Sequence, residues 1–179
     1  SVKSYAKAIQ VLKKWEYNYL DEPEKLIAEH RHYTRLIKKD SIAAIEIHSD
    51  FLRKSEAHLF NYDTVKSSIQ VIDNVAMLSD GNMLNLSILA GQINDYRYNY
   101  RRIALRNAYD VFLLSKKTSA KNAVNTVKGL SHPLHCFLAA CVEVFNSPDS
   151  LTYIQTKKTK AYLALFKEQL TNPRKAKRR

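Results

Sequence analysis

Between positions 95 and 106 the chain reads Asp95-Tyr96-Arg97-Tyr98-Asn99-Tyr100-Arg101-Arg102 and reaches Arg106 four residues later. A phenol ring offers a flat face on which an unpaired base stacks. A guanidinium offers a planar fork of donors to phosphate oxygens. On a helix, Arg97 and Arg101 share one face, as do Arg102 and Arg106, with Tyr96 and Tyr100 flanking them. Guanidiniums this dense repel one another unless anions lie between them. The anions are either nucleic-acid phosphates or the carboxylates of residues 21–80. The second choice puts the tyrosines in the core and leaves the lysines further along unexplained.

Those lysines form a second set. Lys157 and Lys160 are three apart, Lys160 and Lys167 two turns apart, and Lys158 lies between, so the last helix is expected to carry a basic face. Leu151, Ile154, Tyr162 and Leu165 fall on its inner side. Lys116, Lys117, Lys121 and Lys128 lie in the same half of the chain. Beyond Pro173, Arg174, Lys175, Lys177, Arg178 and Arg179 read as a flexible basic tail, which also fits a nuclear-import pattern. Such a set can neutralise phosphates without reading sequence. The bland alternative is a solvated helix face.

His132, His135 and Cys136 are zinc-ligand types at spacings of three and four. No Cys-x-x-Cys pair adds a fourth ligand, and Pro133 and the apolar neighbours point to ordinary packing. His30 and His32 face opposite ways on a helix and make no site. With three glycines in the whole chain a phosphate-cradling loop is not expected, and no nucleophile elbow or carboxylate pair stands out. No cofactor is implied, and no enzyme is named by motif.

The run Arg53-Lys54-Ser55-Glu56-Ala57-His58 resembles the Arg-x4–6-His motif of the HEPN ribonuclease family, whose members are all-helical. The resemblance covers six residues. It departs from the family pattern at Lys54, where a polar Asn, Asp or His usually follows the arginine. It implies phosphodiester cleavage, with Arg53 stabilising charge and His58 acting in general acid–base catalysis.

The elements that must position these residues follow from periodicity and punctuation. The 179 residues are 45% hydrophobic and 26% charged, a globular composition with length for one domain and a core. So few Gly and Pro argue against turn-rich sheets. Helices are expected over 2–20, 24–39 and 42–60. The alternation Ile45-Glu46-Ile47 also reads as a strand, but without a partner strand nearby. Asp63 or Thr64 caps a helix running through Val65, Ile69, Ile72 and Ala76, which Gly81 stops. Residues 83–117 form one long helix or two, breaking at Gly91 or in the Tyr-rich segment. Ser119 caps a helix that ends at Gly129. The helix of residues 134–145, opened by Ser131-His132-Pro133, is apolar nearly all round and belongs at the centre. Asp149 caps the last helix, to about Leu170. The expected fold is therefore all-α: a single domain of seven or eight helices over residues 1–172, no sheet, and a tail of residues 173–179.

Charge divides the chain unevenly. Residues 1–95 carry 12 basic and 13 acidic side chains, whereas residues 96–179 carry 17 basic and 4 acidic, a net +13. With the +12 total, this points to an acidic partner. The expectation is a non-enzymatic nucleic-acid-binding domain, favouring RNA or single strands. The alternatives are a module that docks on an acidic protein or self-associates head to tail, and the HEPN-like nuclease. No apolar run is long enough to span a membrane. Cys136 and Cys141 point about 140° apart on one helix, which disfavours a mutual disulfide and suits a reducing intracellular compartment, cytoplasm or nucleus. No signal peptide is read, and Ser1 in place of Met is compatible with a piece of a longer protein.

Overall fold

The computed structural model describes residues 2–19 and 33–172. The chain divides into two compact units, Ser1–His58 and Leu59–Arg179.

In the first unit, helix α1 (Val2–Lys14) precedes three two-residue strands, β1 (Asn18–Tyr19), β2 (Leu36–Ile37) and β3 (Ala44–Ile45), in one antiparallel sheet of order β1-β2-β3. The expected helix over 2–20 stops at Lys14 because Glu16 takes a left-handed φ of 68°. Tyr17 N then donates to Leu12 O at 2.9 Å and Glu16 N to Lys13 O at 3.0 Å. This pair of bonds is a Schellman closure. It turns Tyr17 back onto the cluster of Ile9, Leu12 and Leu36, against which Tyr5, Tyr19, Ile45 and Ile47 also pack. The Tyr5 ring stacks on Tyr33 at 3.5 Å, and its hydroxyl meets that of Tyr19 at 2.8 Å.

The sheet-free, all-α expectation is corrected here. Of the Ile45-Glu46-Ile47 alternation, Ile45 ends a strand, and that strand's partner lies within the stretch expected to be a helix over 24–39. Leu36 faces Ile45 and Ile37 faces Ala44. One position further out, Arg35 Nη2 reaches Glu46 Oε1 at 2.6 Å, a cross-strand ion pair. No helix runs over 42–60; the described chain there is strand, turn and the short 3₁₀ turn Ala57–Leu59. The part of the 24–39 helix before residue 33 lies outside the described residues.

The second unit opens with the single-turn α2 (Tyr62–Val65), capped reciprocally by Asn61 and Thr64. The helix expected to continue to Ala76 is replaced by a hairpin, β4 (Gln70–Ile72) and β5 (Val75–Met77). Asp73 and Asn74 both take left-handed φ values, 50° and 63°, as a two-residue type I′ turn requires. That turn breaks any helix through Ile72. Gly81 is not a helix stop but sits in the first turn of α3 (Asp80–Leu89), which Ser79 caps. A π-turn, Ala90–Asn94, follows. Then come α4 (Leu105–Ser115), α5 (Ala120–Asn125), α6 (Ser131–Val144) and α7 (Lys157–Thr171). These are seven α-helices and two small sheets among the described residues.

Helix α6 packs against α3, α5 and α7, and every residue from Leu134 to Cys141 is buried. A helix apolar all round can satisfy itself only at the centre of a unit. Gly129 enters it with φ +83°, a backbone that a Cβ strains. The last helix starts at Lys157 rather than Asp149. The Thr156 hydroxyl accepts from Thr159 N while the Thr159 hydroxyl accepts from Thr156 N, which fixes the start. No helix among the described residues is long and apolar enough to cross a membrane.

Candidate functional site

The Tyr/Arg segment is a loop, not a helix, so its residues are placed by turns rather than by four-residue spacing. Arg97 N donates to Gly91 O at 3.2 Å and Tyr98 N to Gln92 O at 3.2 Å, carrying the chain off the π-turn. Arg101 takes φ 52°, and Arg102 N donates to Arg97 O at 3.0 Å while Arg101 N donates to Tyr98 O at 3.1 Å. This is again a Schellman closure. The Gln92 amide donates to Arg102 O at 2.9 Å. With its amide nitrogen facing the acceptors, Gln169 of α7 donates to Tyr100 O at 3.0 Å and Arg101 O at 3.1 Å.

This backbone sorts the three tyrosines. Tyr98 points inward and stacks on Tyr162 of α7 with centroids 5.6 Å apart and planes at 4°. Its ring also meets His132 of α6 edge-on at 6.0 Å. Tyr96 and Tyr100 stay about half-exposed, at 50% and 47%. Arg97 pairs with Asp95 at 3.4 Å, within its own loop. Arg106 leaves this cluster for the outer side of α4.

Around the Tyr98–Tyr162 stack gather several basic groups. Burial and then the nearby Lys158 charge hold His132 below its ordinary value. Burial, then the charges of His132 and Lys121, do the same to His135. Burial raises Tyr98 and Tyr162, and the Arg101 guanidinium acts against that rise in both. The charge of Arg101 thus reaches the Tyr98–Tyr162 stack, that of Lys158 reaches His132, and that of Lys121 reaches His135. The first turns of α5, α6 and α7 contain no acidic residue. Cations at a helix N-terminus oppose its dipole, at about 0.3–1 kcal/mol each when exposed. Lys157, Lys158 and Lys160 sit there regardless, exposed and without an ion-pair partner among the described residues.

Two other cations are already committed. Lys167 pairs with Glu143 of α6 at 2.8 Å. The Lys116 ammonium lies 4.3 Å above its own helix's Phe112 ring. Lys117, two residues beyond α4, is exposed. Arg174, Lys175, Lys177, Arg178 and Arg179 lie outside the described residues.

His132, His135 and Cys136 do not converge. His135 is buried, its Nδ1 accepting from Ile154 N at 3.2 Å and its Nε2 2.9 Å from Asn125 Oδ1. Both ring nitrogens serve as structural ties, in the neutral form protonated at Nε2. The Cys136 thiol lies 3.7 Å from His132 Nε2 but is fully buried and pushed up to about 12 by that burial. Cys136 and Cys141 are both free thiols. Among the described residues no group of three His, Cys, Asp or Glu is placed to hold a metal ion.

Arg53 and His58 flank a tight turn in which Glu56 N donates to Arg53 O at 2.9 Å. Arg53 is half-buried and His58 exposed. Spacing alone did not reveal Gln92, Gln169 or the tie from His135 to Ile154, because each is a contact between distant parts of the chain. Compared with known proteins, the chain matches no family model, no curated protein and no solved structure.

Proposed function

We propose that the second unit binds nucleic acid without cleaving it, favouring RNA or single strands. Arg101, Lys121, Lys157, Lys158 and Lys160 meet phosphates, and Tyr96 and Tyr100 offer faces to bases. The observation that carries this reading is the contrast in pairing. Lys167 in the body of α7 pairs with Glu143, whereas Lys121 on α5 and Lys157, Lys158 and Lys160 at the start of α7 have no carboxylate partner among the described residues. An anion supplied from outside would offset both their mutual repulsion and their clash with the helix dipoles. Two buried free thiols suit the same chain working in the cytoplasm or nucleus.

Gel shifts with single- and double-stranded RNA and DNA at two salt concentrations test it. Binding should weaken steeply with salt. Changing Lys121 and Lys158 together to Glu should lower the salt slope on single strands by about 1.4. Lys167→Ala, which removes a cation already paired, should leave binding nearly unchanged. No shift of any probe at low salt defeats the proposal.

A further inference from the structure

Helix α4 has two apolar sides. Ala108 and Val111 are buried against the unit. On a second side, about 130° around the helix, Leu105, Tyr109 and Leu113 are 67%, 53% and 42% exposed. They fall at every fourth position, so they form a stripe spanning about 80° of arc and about 12 Å of axis. Isolated exposed leucines need no explanation, but three large apolar side chains in register on one helix leave a face without a cover. Beside the stripe stand Arg106 and Asp110, both exposed. Although four apart, they do not pair with each other, and neither has an ion-pair partner among the described residues.

We propose that this face packs antiparallel against the same face of a second copy of the chain, with a two-fold axis at Tyr109. The charge pattern selects that occupant. Taking Tyr109 as origin, Arg106 lies about 60° and Asp110 about 100° around the helix, on the same side. Along the axis, Arg106 is about 4.5 Å before Tyr109 and Asp110 about 1.5 Å after it. An antiparallel two-fold places equal sides of the two helices together and reverses the axial coordinate. Each Arg106 then stands within about 3 Å, along the axis, of the other copy's Asp110. Two reciprocal ion pairs close across the dyad, and each Leu105 meets the other copy's Leu113. A parallel arrangement would instead set Arg106 and Asp110 beside the opposite flank of the stripe. Lys116, at the end of the stripe, is drawn aside over Phe112 and leaves the centre clear. The contact is short, so the dimer should be weak and concentration-dependent.

The test is sedimentation equilibrium on the full, nuclease-treated chain in moderate salt, from micromolar to several hundred micromolar. The expected weight-average mass rises from 20.7 kDa toward twice that value. Asp110→Arg should return it to the monomer mass, and adding Arg106→Asp should restore the dimer by exchanging the two charges. Tyr109→Glu, a substitution at an exposed position, should abolish association while leaving the circular dichroism spectrum unchanged. A monomer mass at every concentration overturns the proposal. So does a dimer that survives Tyr109→Glu or Asp110→Arg, or a charge exchange that fails to rescue.

Discussion

Replacing His135 with Leu keeps the buried bulk and removes two ties, one to Ile154 N and one to Asn125 Oδ1. Each net hydrogen bond contributes about 1 kcal/mol, and a stranded Ile154 N–H adds a desolvation cost, so a loss of about 2–3 kcal/mol is expected at pH 7.5. The pH dependence is the sharper part. Burial, with His132 and Lys121 close by, holds the folded-state value of His135 below 6.5, while the unfolded chain titrates near 6.5. Above that value both states are neutral and the stabilisation is complete. Below it the unfolded chain takes up a proton that the folded one refuses. Stability therefore falls by about 1.4 kcal/mol per pH unit until the folded value is reached. His132 is shifted the same way and contributes a parallel loss. The variant should keep only the His132 part. Amide hydrogen exchange along α6, followed from pH 7.5 to 5, reads this unit without interference from the first. An unchanged slope in the variant, or equal protection at pH 7.5, refutes the assignment of His135 as a neutral structural tie.

Three further outcomes follow from local geometry. The buried Tyr162 hydroxyl has no hydrogen-bond partner among the described residues, so Tyr162→Phe should be neutral or stabilising by up to about 1 kcal/mol in urea unfolding. A clear loss would mean that the hydroxyl is satisfied. Gly129→Ala combines φ +83° with a new Cβ 3.3 Å from Leu59, and should cost about 1–2 kcal/mol in thermal unfolding. Asn74→Gly relieves a left-handed residue in the hairpin turn and should slow amide exchange across β4 and β5 by a few-fold; faster exchange would argue against the turn type.

How much of this could be read from sequence depended on how local each cause was. Helix α6 was legible because its apolar run leaves no polar side to expose. The Ser119 cap and the break in the Tyr-rich segment were legible for similarly local reasons. Apart from the hint at Ile45, the strands of the first sheet were not, because two residues are too short to show alternation; they are held by Leu36 against α1 and by Arg35 across to Glu46. Asp73-Asn74 sat inside a pattern that also fits helical spacing. The start of α7 was misplaced because Thr156 and Thr159 cap it with hydroxyls, where a Glu is the usual signal. In the candidate site, the basic half was visible as a charge total. That Lys167 is committed to Glu143 while Lys158 is not depends on contacts between helices, which spacing does not encode.

The turn over residues 97–102 is closed by its own backbone hydrogen bonds. Its backbone is already frozen by its own bonds and by Gln92, so a ligand reaching Tyr96 or Tyr100 has only side-chain rotation left to immobilise. Association there should proceed in a single kinetic phase, without the lag of a loop that must first find its shape. The same pre-setting makes the turn intolerant of length change. One residue inserted between Arg97 and Arg102 would swing Tyr98 off Tyr162 and expose the core beneath, whereas an insertion at the tip of the β4–β5 hairpin would disturb little beyond itself.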